Sequence, residues 1–234
     1  IYIYLIMNNF IYYLIVYMER KNWRFKMNVI DKLNNSYREN RIYYFMVLIF
    51  FCVGIALGAF MVKYMNINDS TDLSNYFSSF TESILVSQIE NTKLFFNILI
   101  KISITVVIII ILGFTVFGIP FILLIDLIKG FTLGYTFTFL LTTFNGKGIW
   151  LAIVSILPQN IFYIPSFIAL SIISIEFSAT KLRYKFFNKG TINTIVKKEL
   201  IFKIGVLVCT FIIGVFIESY ICPNLMKFIV TKIT

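Results

Sequence analysis

Two charged residues in an otherwise apolar stretch are the first candidates for chemistry in this chain. Asp126 and Lys129 stand in the segment LIDLIKGFTLGY, residues 123–134. Residues three apart lie on one face of a helix, so the carboxylate and the ammonium can interact. A charge at the centre of a membrane span costs about 2.5 to 3.5 kcal/mol on insertion scales, and both groups therefore need a partner. The pair predicts either a structural contact or a polar site inside the membrane.

A second polar segment, SILPQNIFYIP, carries Pro158, Gln159 and Asn160 together with Pro165. Each proline lacks the N–H that would bond to the carbonyl four residues earlier, so two carbonyls lose their helical donors. We expect Gln159, Asn160 and the Lys129 ammonium to compensate for this loss. The default interpretation is structural, and the alternative is a translocation or partner-binding site.

The residue types that most enzymes and metal sites require are scarce. The sequence has no histidine, and its three cysteines, Cys52, Cys209 and Cys222, are widely spaced. These features argue against a metal site, a disulfide framework and most nucleophilic or acid–base mechanisms. We therefore expect a protein that is not an enzyme and has no cofactor. An intramembrane protease would need a catalytic pair that the sequence does not show.

The composition indicates that these polar segments lie in a membrane. Hydrophobic residues make up 59% of the chain and charged residues 14%, and the mean hydropathy is +0.87. Apolar runs near 20 residues long, enough to cross a bilayer, occupy 42–62, 98–118, 120–142, 149–175 and 201–222. The runs are continuously apolar rather than alternating, which favours helices over barrel strands. The sequence predicts an all-α, polytopic membrane protein with five transmembrane helices.

The distribution of Lys and Arg predicts the orientation of these spans. Seven basic residues fall in 19–41 and seven in 176–203, whereas 63–97 has two basic against four acidic residues. Because basic segments stay on the cytoplasmic side, we expect the N-terminus and the second basic segment inside the cell. Segments 63–97 and 143–148 are then outside. The two basic segments expected inside the cell account for most of the net charge of +10, so nucleic-acid binding is not needed to explain that charge.

Residues 1–26 are set apart as a doubtful N-terminal extension. Their apolar run is interrupted by Asn8 and Asn9. It fits an additional helix or sequence translated upstream of a natural start at Met27, and we favour the second interpretation. A secretory signal fits less well, because the apolar run precedes the basic residues and no small-residue cleavage site follows. Residues 27–234 are then expected to form a single membrane domain.

The predicted outer segment contains an amphipathic helix. After a helix cap at 70–72, apolar residues recur at helical spacing at Leu73, Phe77, Phe80 and Ile84. Such a helix either lies on the outer leaflet or docks a partner outside the cell.

Glycines recur at intervals of four on two of the spans. Gly130 and Gly134 follow Asp126 on the third span, and Gly54 and Gly58 lie on the first. Small residues on such a ridge let a crossing helix approach closely. We expect the ridges to serve helix packing within the protein, with partner binding as the alternative.

Three segments together resemble stage II sporulation protein M of endospore-forming bacteria. They are NNSYRENRIYYFMVLIFFCVGIALGAF, TVFGIPFILLIDLIKGFTLGYTFTFLL and KGIWLAIVSILPQNIFYIPSFIALS. The most specific pieces are Gly-Ile-Pro at 118–120, Lys-Gly at 129–130 and Pro-Gln-Asn at 158–160. The resemblance covers residues 28–222 and leads us to expect an apolar residue where Asp126 stands. The abundance of Ile, Phe, Asn and Lys suits a low-GC genome such as that of a clostridium.

The resemblance implies a role in endospore formation. A protein of this family is expected to be required for engulfment of the forespore, as the membrane component of a complex with stage II sporulation proteins D and P. Those partners cleave peptidoglycan, and the M protein anchors and localises them at the sporulation septum and in the engulfing mother-cell membrane. The implied function is that of a non-enzymatic scaffold.

The alternative function is that of a transporter or permease subunit. Asp126, Lys129 and the polar residues at 158–160 would form its mid-membrane site. Five spans, however, give no even inverted repeat of the kind that many transporters have. The other charges within the predicted spans, Lys101 and Glu218, lie near the outer ends of those spans.

Overall fold

The computed structural model describes residues 41–66, 68–69, 71–73, 75, 79, 90–143, 147–187 and 196–233. Within these ranges the regular structure is helical. The helices are α1 (Arg41–Lys63), α2 (Asn91–Gly113), α3 (Gly118–Thr143), α4 (Lys147–Phe187), α5 (Val196–Phe216) and α6 (Cys222–Ile233), with a π-helical turn, Ile217–Ile221, between α5 and α6. The described residues from Met46 onward belong to one compact unit. The predicted extension 1–26 lies outside the described residues.

Among the described residues, five helical segments are long and apolar enough to cross a membrane, as predicted. They are Arg41–Lys63, Asn91–Gly113, Gly118–Thr142, Ala152–Arg183 and Lys203–Ile229. The protein is therefore an all-α, multi-pass membrane protein. The second span begins at Asn91 rather than at residue 98, because helical hydrogen bonding continues through polar residues that a search for apolar runs omits.

The last span also extends beyond the predicted end at residue 222. The π-helical turn Ile217–Ile221 leads directly into α6, so the chain remains helical as far as Ile233. Pro223 is the second residue of α6. Because the chain is helical on both sides of it, Pro223 lacks an N–H that could bond to a carbonyl of the preceding turn.

Helix α4 is the centre of the bundle. It packs against α2, α3, α5 and α6. Of the apolar 18-residue stretch with which it crosses the membrane, 61% is buried inside the protein, compared with 6% for the corresponding stretch of α2. The chain stays helical through Pro158 and Pro165, so the predicted loss of two hydrogen bonds does not break the helix. The long, central α4 is the element that positions the polar side chains of the other helices.

The two glycine ridges pack against each other. A Cβ atom on Gly54 would overlap the carbonyl oxygen of Leu127, and one on Gly130 would overlap that of Phe51. Gly58 and Gly134 make equivalent contacts one turn further along the same seam. The backbones of α1 and α3 thus touch directly, as glycine ridges permit.

A tight connection joins α2 to α3 and is held by α4. The Ser178 hydroxyl donates to the carbonyl oxygen of Thr115 at 2.8 Å. The Lys181 ammonium donates to the carbonyl oxygen of Phe114, also at 2.8 Å, and lies over the ring of Phe114. A Cβ atom on Gly118 would overlap the carbonyl oxygen of Leu112, which explains why the first residue of the 118–120 motif is a glycine.

Candidate functional site

The dimensions of α3 indicate the depth of its charged residues. From Gly118 to Leu140 the helix rises roughly 33 Å, close to the thickness of the hydrocarbon core. Leu140 belongs to a buried cluster with Phe139, Ala152, Ile156 and Met226, and this cluster marks the predicted outer side of the bundle. Lys129 is midway along this length, and Asp126 lies about one turn closer to Gly118.

Asp126 is bonded to α4 and is almost fully buried. Its side chain is 2% exposed and that of Ser171 is 0% exposed. The Ser171 hydroxyl donates to Oδ1 of Asp126 at 2.7 Å, whereas Oδ2 is buried and has no hydrogen-bond partner. Sequence reasoning missed Ser171. A serine in an apolar helix gives no signal of its partner, although its place on the buried side of α4 is consistent with this role.

Lys129 does not pair with Asp126. No ion pair joins the two groups, which both lie in the described part of the chain. The Lys129 ammonium is instead 5.0 Å from the ring centroid of Phe167 and interacts electrostatically with Glu218. Because α3 and α4 run in opposite directions, Asp126 reaches Ser171 while Lys129 reaches Phe167, one turn away. The contact between Asp126 and Lys129 that their spacing suggested is therefore absent.

Glu218 interacts with several polar side chains within the membrane. It lies in the π-helical turn, and its Oε2 accepts a hydrogen bond from the Tyr163 hydroxyl at 2.7 Å. Lys101 and Lys129 both interact with it electrostatically. Glu218 precedes Met226 of the outer cluster by eight residues, a rise of roughly 12 Å, so it lies deeper than the sequence indicated. Turns of π-helix are frequent at functional sites, because they redirect a side chain out of the helical register.

The Pro-Gln-Asn segment bonds mainly within α4. The Gln159 amide donates to the carbonyl oxygen of Ser155, and the Asn160 amide donates to that of Ile156 at 2.7 Å. The Cys222 thiol donates to Oε1 of Gln159 at 3.0 Å. The two acceptors are not the carbonyls of Val154 and Ile161, which Pro158 and Pro165 leave without helical donors. The predicted compensation of those carbonyls by Gln159, Asn160 and Lys129 is therefore not seen in these contacts.

Two cavities that described residues line are separate from these polar groups. One, of about 20 Å³, is lined mainly by apolar residues of α2, α4 and α5. Another, of about 480 Å³, is open and is lined by Met65, Asn66, Asn68 and Asp69, beyond the end of α1. Neither is bordered by Lys129, Gln159 or Glu218. Among the described residues, no group of three or more His, Cys, Asp or Glu side chains could hold a metal ion.

The beginning of the outer segment packs onto the bundle. Residues 68–69, 71–73, 75 and 79 are helical, so the helix starts before the cap expected at 70–72. Leu73 is half-buried against the outer cluster. The other predicted docking residues, Phe77, Phe80 and Ile84, lie outside the part of the chain that the structure describes.

Comparison with known proteins identifies one family. The sequence profile of the family described as Stage II sporulation protein M matches residues 47–223, which include Asp126, Lys129, Gln159, Ser171 and Glu218. No curated protein and no solved structure gives a significant match.

Proposed function

The chain belongs to the stage II sporulation protein M family and so has a role in sporulation, and on this premise we propose that it is a non-enzymatic membrane scaffold. Its task is to anchor peptidoglycan-degrading partners at the sporulation septum and in the engulfing mother-cell membrane, where they are required for engulfment of the forespore. The resemblance of the sequence to this family points to stage II sporulation proteins D and P as those partners.

The mutual bonding of the intramembrane polar groups is the observation that carries this proposal. Asp126 accepts from Ser171, Glu218 accepts from Tyr163, and Gln159 accepts from Cys222. Each contact joins α4 to another helical segment. Polar contacts between helices fix their relative positions in lipid, where apolar burial gives no such preference. A bundle fixed in this way is suited to holding other proteins in place.

The same contacts weigh against the transporter alternative. A solute pathway needs polar side chains around a cavity near the middle of the membrane. Of the two cavities described above, the one between α2, α4 and α5, of about 20 Å³, has room for a water molecule at most and lies near the connection of α2 to α3 rather than near the middle of the membrane. The buried charges and amides contact one another rather than this cavity. We therefore favour the scaffold.

The amphipathic outer segment is the proposed docking surface for the partners. Leu73 packs on the outer cluster, and we assign it to anchoring the segment on the bundle. Phe77, Phe80 and Ile84 remain the predicted partner contacts. Partner enzymes that act on peptidoglycan work outside the cell membrane, on the side where the charge distribution predicts this segment.

The proposal is tested by following the two partners in sporulating cells that lack this protein. Fluorescent fusions of proteins D and P should lose their septal position without the protein and regain it when it is supplied again. The purified protein should release no soluble fragments from peptidoglycan. Normal positioning of both partners in the deletion strain would refute the scaffold, and hydrolysis by the purified protein would refute the non-enzymatic role.

A further inference from the structure

A stripe of exposed side chains runs along α2 on its lipid-facing side. It consists of Asn97, Lys101, Ile104, Ile108 and Ile111, and all five are exposed. The three isoleucines are between 44% and 57% exposed. The buried residues of α2, by contrast, lie on the side that packs against the rest of the bundle.

The spacing of this stripe matches the contact pattern of a second helix. Successive members are four, three, four and three residues apart, which is the alternation of the two core positions in a heptad repeat. Side chains with this spacing insert between those of one neighbouring helix that packs nearly in line. The exposed side of α2 is wider than this stripe and also carries Phe96, Ile100 and Val107, so the spacing permits a partner helix and Lys101 is the residue that sets this part of the face apart.

Lys101 lies deep in the membrane. The ring of Phe95, on the same helix, is 6.4 Å from the ring of Tyr220, and Tyr220 precedes Met226 of the outer cluster by six residues. Lys101 follows Phe95 by six residues, and α2 runs away from the outer cluster. The steps from Met226 to Tyr220 and from Phe95 to Lys101 are each a rise of roughly 9 Å. Added together, they place the Lys101 backbone near the middle of the hydrocarbon core.

The charge of Lys101 is only partly compensated within the bundle. Its electrostatic partner, Glu218, also interacts with Lys129 and accepts a hydrogen bond from Tyr163. Two ammonium groups therefore share one carboxylate. Since Lys101 is exposed toward lipid, and an unpaired charge is costly there, an additional acceptor at this depth would stabilise it.

We propose that this stripe on α2 is the docking site for a transmembrane helix of another protein that carries a carboxylate near mid-membrane. The carboxylate pairs with Lys101, a polar group contacts Asn97, and apolar side chains fill the spaces between the three isoleucines. The inference rests on the proposed scaffold function, because it names the chemistry by which the scaffold recognises a membrane partner. It is separate from docking outside the cell.

A second copy of this chain fits the stripe less well. Its own intramembrane carboxylates are already engaged, Asp126 with Ser171 and Glu218 with Tyr163. Both are bonded to α4, and Asp126 is almost fully buried, so neither is placed at a lipid-facing surface where Lys101 of another copy would meet it. Charge complementarity therefore favours a different protein.

The test uses the full-length protein in phosphatidylcholine vesicles with a synthetic probe helix. The probe is a leucine–alanine transmembrane peptide with one glutamate at its centre, and its twin has leucine there. Energy transfer between labelled protein and peptide measures association. We expect the glutamate peptide to bind about tenfold more tightly, the ratio expected of one polar contact between membrane helices. The preference should vanish in Lys101→Leu and persist in Lys63→Leu, a control at the end of α1.

Charge exchange separates a specific contact from a general loss of folding. Lys101→Glu should reverse the preference in favour of a peptide with a central lysine, which a misfolded variant could not do. Equal binding of the two original peptides, or a preference that survives Lys101→Leu, would overturn the proposal. Energy transfer between two labelled copies of the protein that Lys101→Leu abolishes would assign the stripe to self-association and would also overturn it.

The outcome in cells distinguishes this inference from the scaffold function on which it rests. If Lys101→Leu mislocalises a membrane partner as deletion of the whole protein does, both stand. If deletion mislocalises the partners while Lys101→Leu leaves them in place, the docking site on α2 is wrong and the scaffold remains. Normal localisation in the deletion strain refutes the scaffold itself, whatever the peptides do.

Discussion

The Ser171 hydroxyl donates to Oδ1 of Asp126 across 2.7 Å, and this contact joins the two helices at the centre of the bundle. The other oxygen of the carboxyl group, Oδ2, is buried without a hydrogen-bond partner. Among the residues that the structure describes, this contact is therefore the only hydrogen bond of the Asp126 carboxyl group. Its loss would leave a polar group in an apolar interior with neither oxygen satisfied.

Removing Ser171 should therefore cost more than removing Asp126. Ser171→Ala leaves the buried carboxyl group unsatisfied, a penalty of about 1 to 3 kcal/mol. Asp126→Leu removes the polar group altogether and should lose less stability. Thermal unfolding of the purified variants in detergent measures both effects.

The double variant provides the control. Asp126→Leu combined with Ser171→Ala should be close to Asp126→Leu alone, because the hydroxyl then has no carboxyl partner to lose. A Ser171→Ala variant as stable as the parent protein would contradict the assigned contact.

The fold was largely predictable because its strongest signal is length and apolarity. A span such as Gly118–Thr142 is continuously apolar, and hydropathy identifies it without knowledge of its neighbours. The ends were less predictable. Asn91 begins a helix although Asn91 and Lys93 are polar, since a helix can extend beyond the apolar region into the interface.

The polar contacts were predictable only in part. Asp126, Lys129 and Gln159 were conspicuous because polar side chains are rare in spans. Their partners were not, because Ser171 and Phe167 are ordinary residues in membrane helices. The proximity of Asp126 and Lys129 in sequence suggested a pair, whereas packing against α4 directs them to different partners. Contacts between helices require the helix arrangement, which local sequence does not specify.

The partner of Lys129 can be identified by thermodynamic coupling. Lys129→Met should destabilise the bundle, and the loss should be partly recovered when Glu218→Gln removes the carboxylate that Lys129 offsets. The coupling free energy between Lys129 and Glu218 should exceed about 1 kcal/mol, whereas that between Lys129 and Asp126 should stay within roughly 0.5 kcal/mol.

Both couplings come from double-mutant cycles of unfolding in detergent, with Asp126→Leu as the second partner variant. Glu218→Gln suits this cycle because glutamine can still accept from Tyr163 while carrying no charge. A larger coupling to Asp126 than to Glu218 would restore the direct Asp126–Lys129 pair and refute the arrangement described here.

The orientation in the membrane is checked by cysteine labelling. In a protein whose three native cysteines are replaced, single cysteines at Ser79 and Asn145 should react with an impermeant maleimide in intact cells. One at Lys185, near the end of α4, should react only after the cells are made permeable. These results follow from the positive-inside distribution of Lys and Arg. Labelling at position 185 in intact cells would reverse the orientation.

The outer segment is tested with variants that change either its anchoring residue or its predicted docking residues. The double change Phe77→Ser and Phe80→Ser should reduce recruitment of the hydrolases while protein levels stay normal. Leu73→Ser should lower stability as well, since Leu73 packs on the outer cluster. Quantitative blots and fluorescence of the partner fusions give the two readouts. Unchanged recruitment in the Phe77 and Phe80 variant would favour a segment that only lies on the lipid surface.

The glycine seam between α1 and α3 gives the sharpest structural prediction. Gly54→Ala and Gly130→Ala each add a Cβ atom that overlaps a backbone carbonyl oxygen of the facing helix. A backbone oxygen cannot turn aside as a side chain can, so the helices must separate. We expect each change to cost about 1 to 3 kcal/mol, the usual penalty for overpacking.

Gly205→Ala is the matched control, because its added Cβ would meet nothing within 4 Å. Helix propensity should make that variant neutral or up to about 1 kcal/mol more stable. Thermal unfolding and steady-state membrane levels should therefore rank Gly205→Ala at or above the parent protein and the two seam variants well below it. If the seam variants unfold at the same temperature as Gly205→Ala, the backbones of α1 and α3 are not in direct contact.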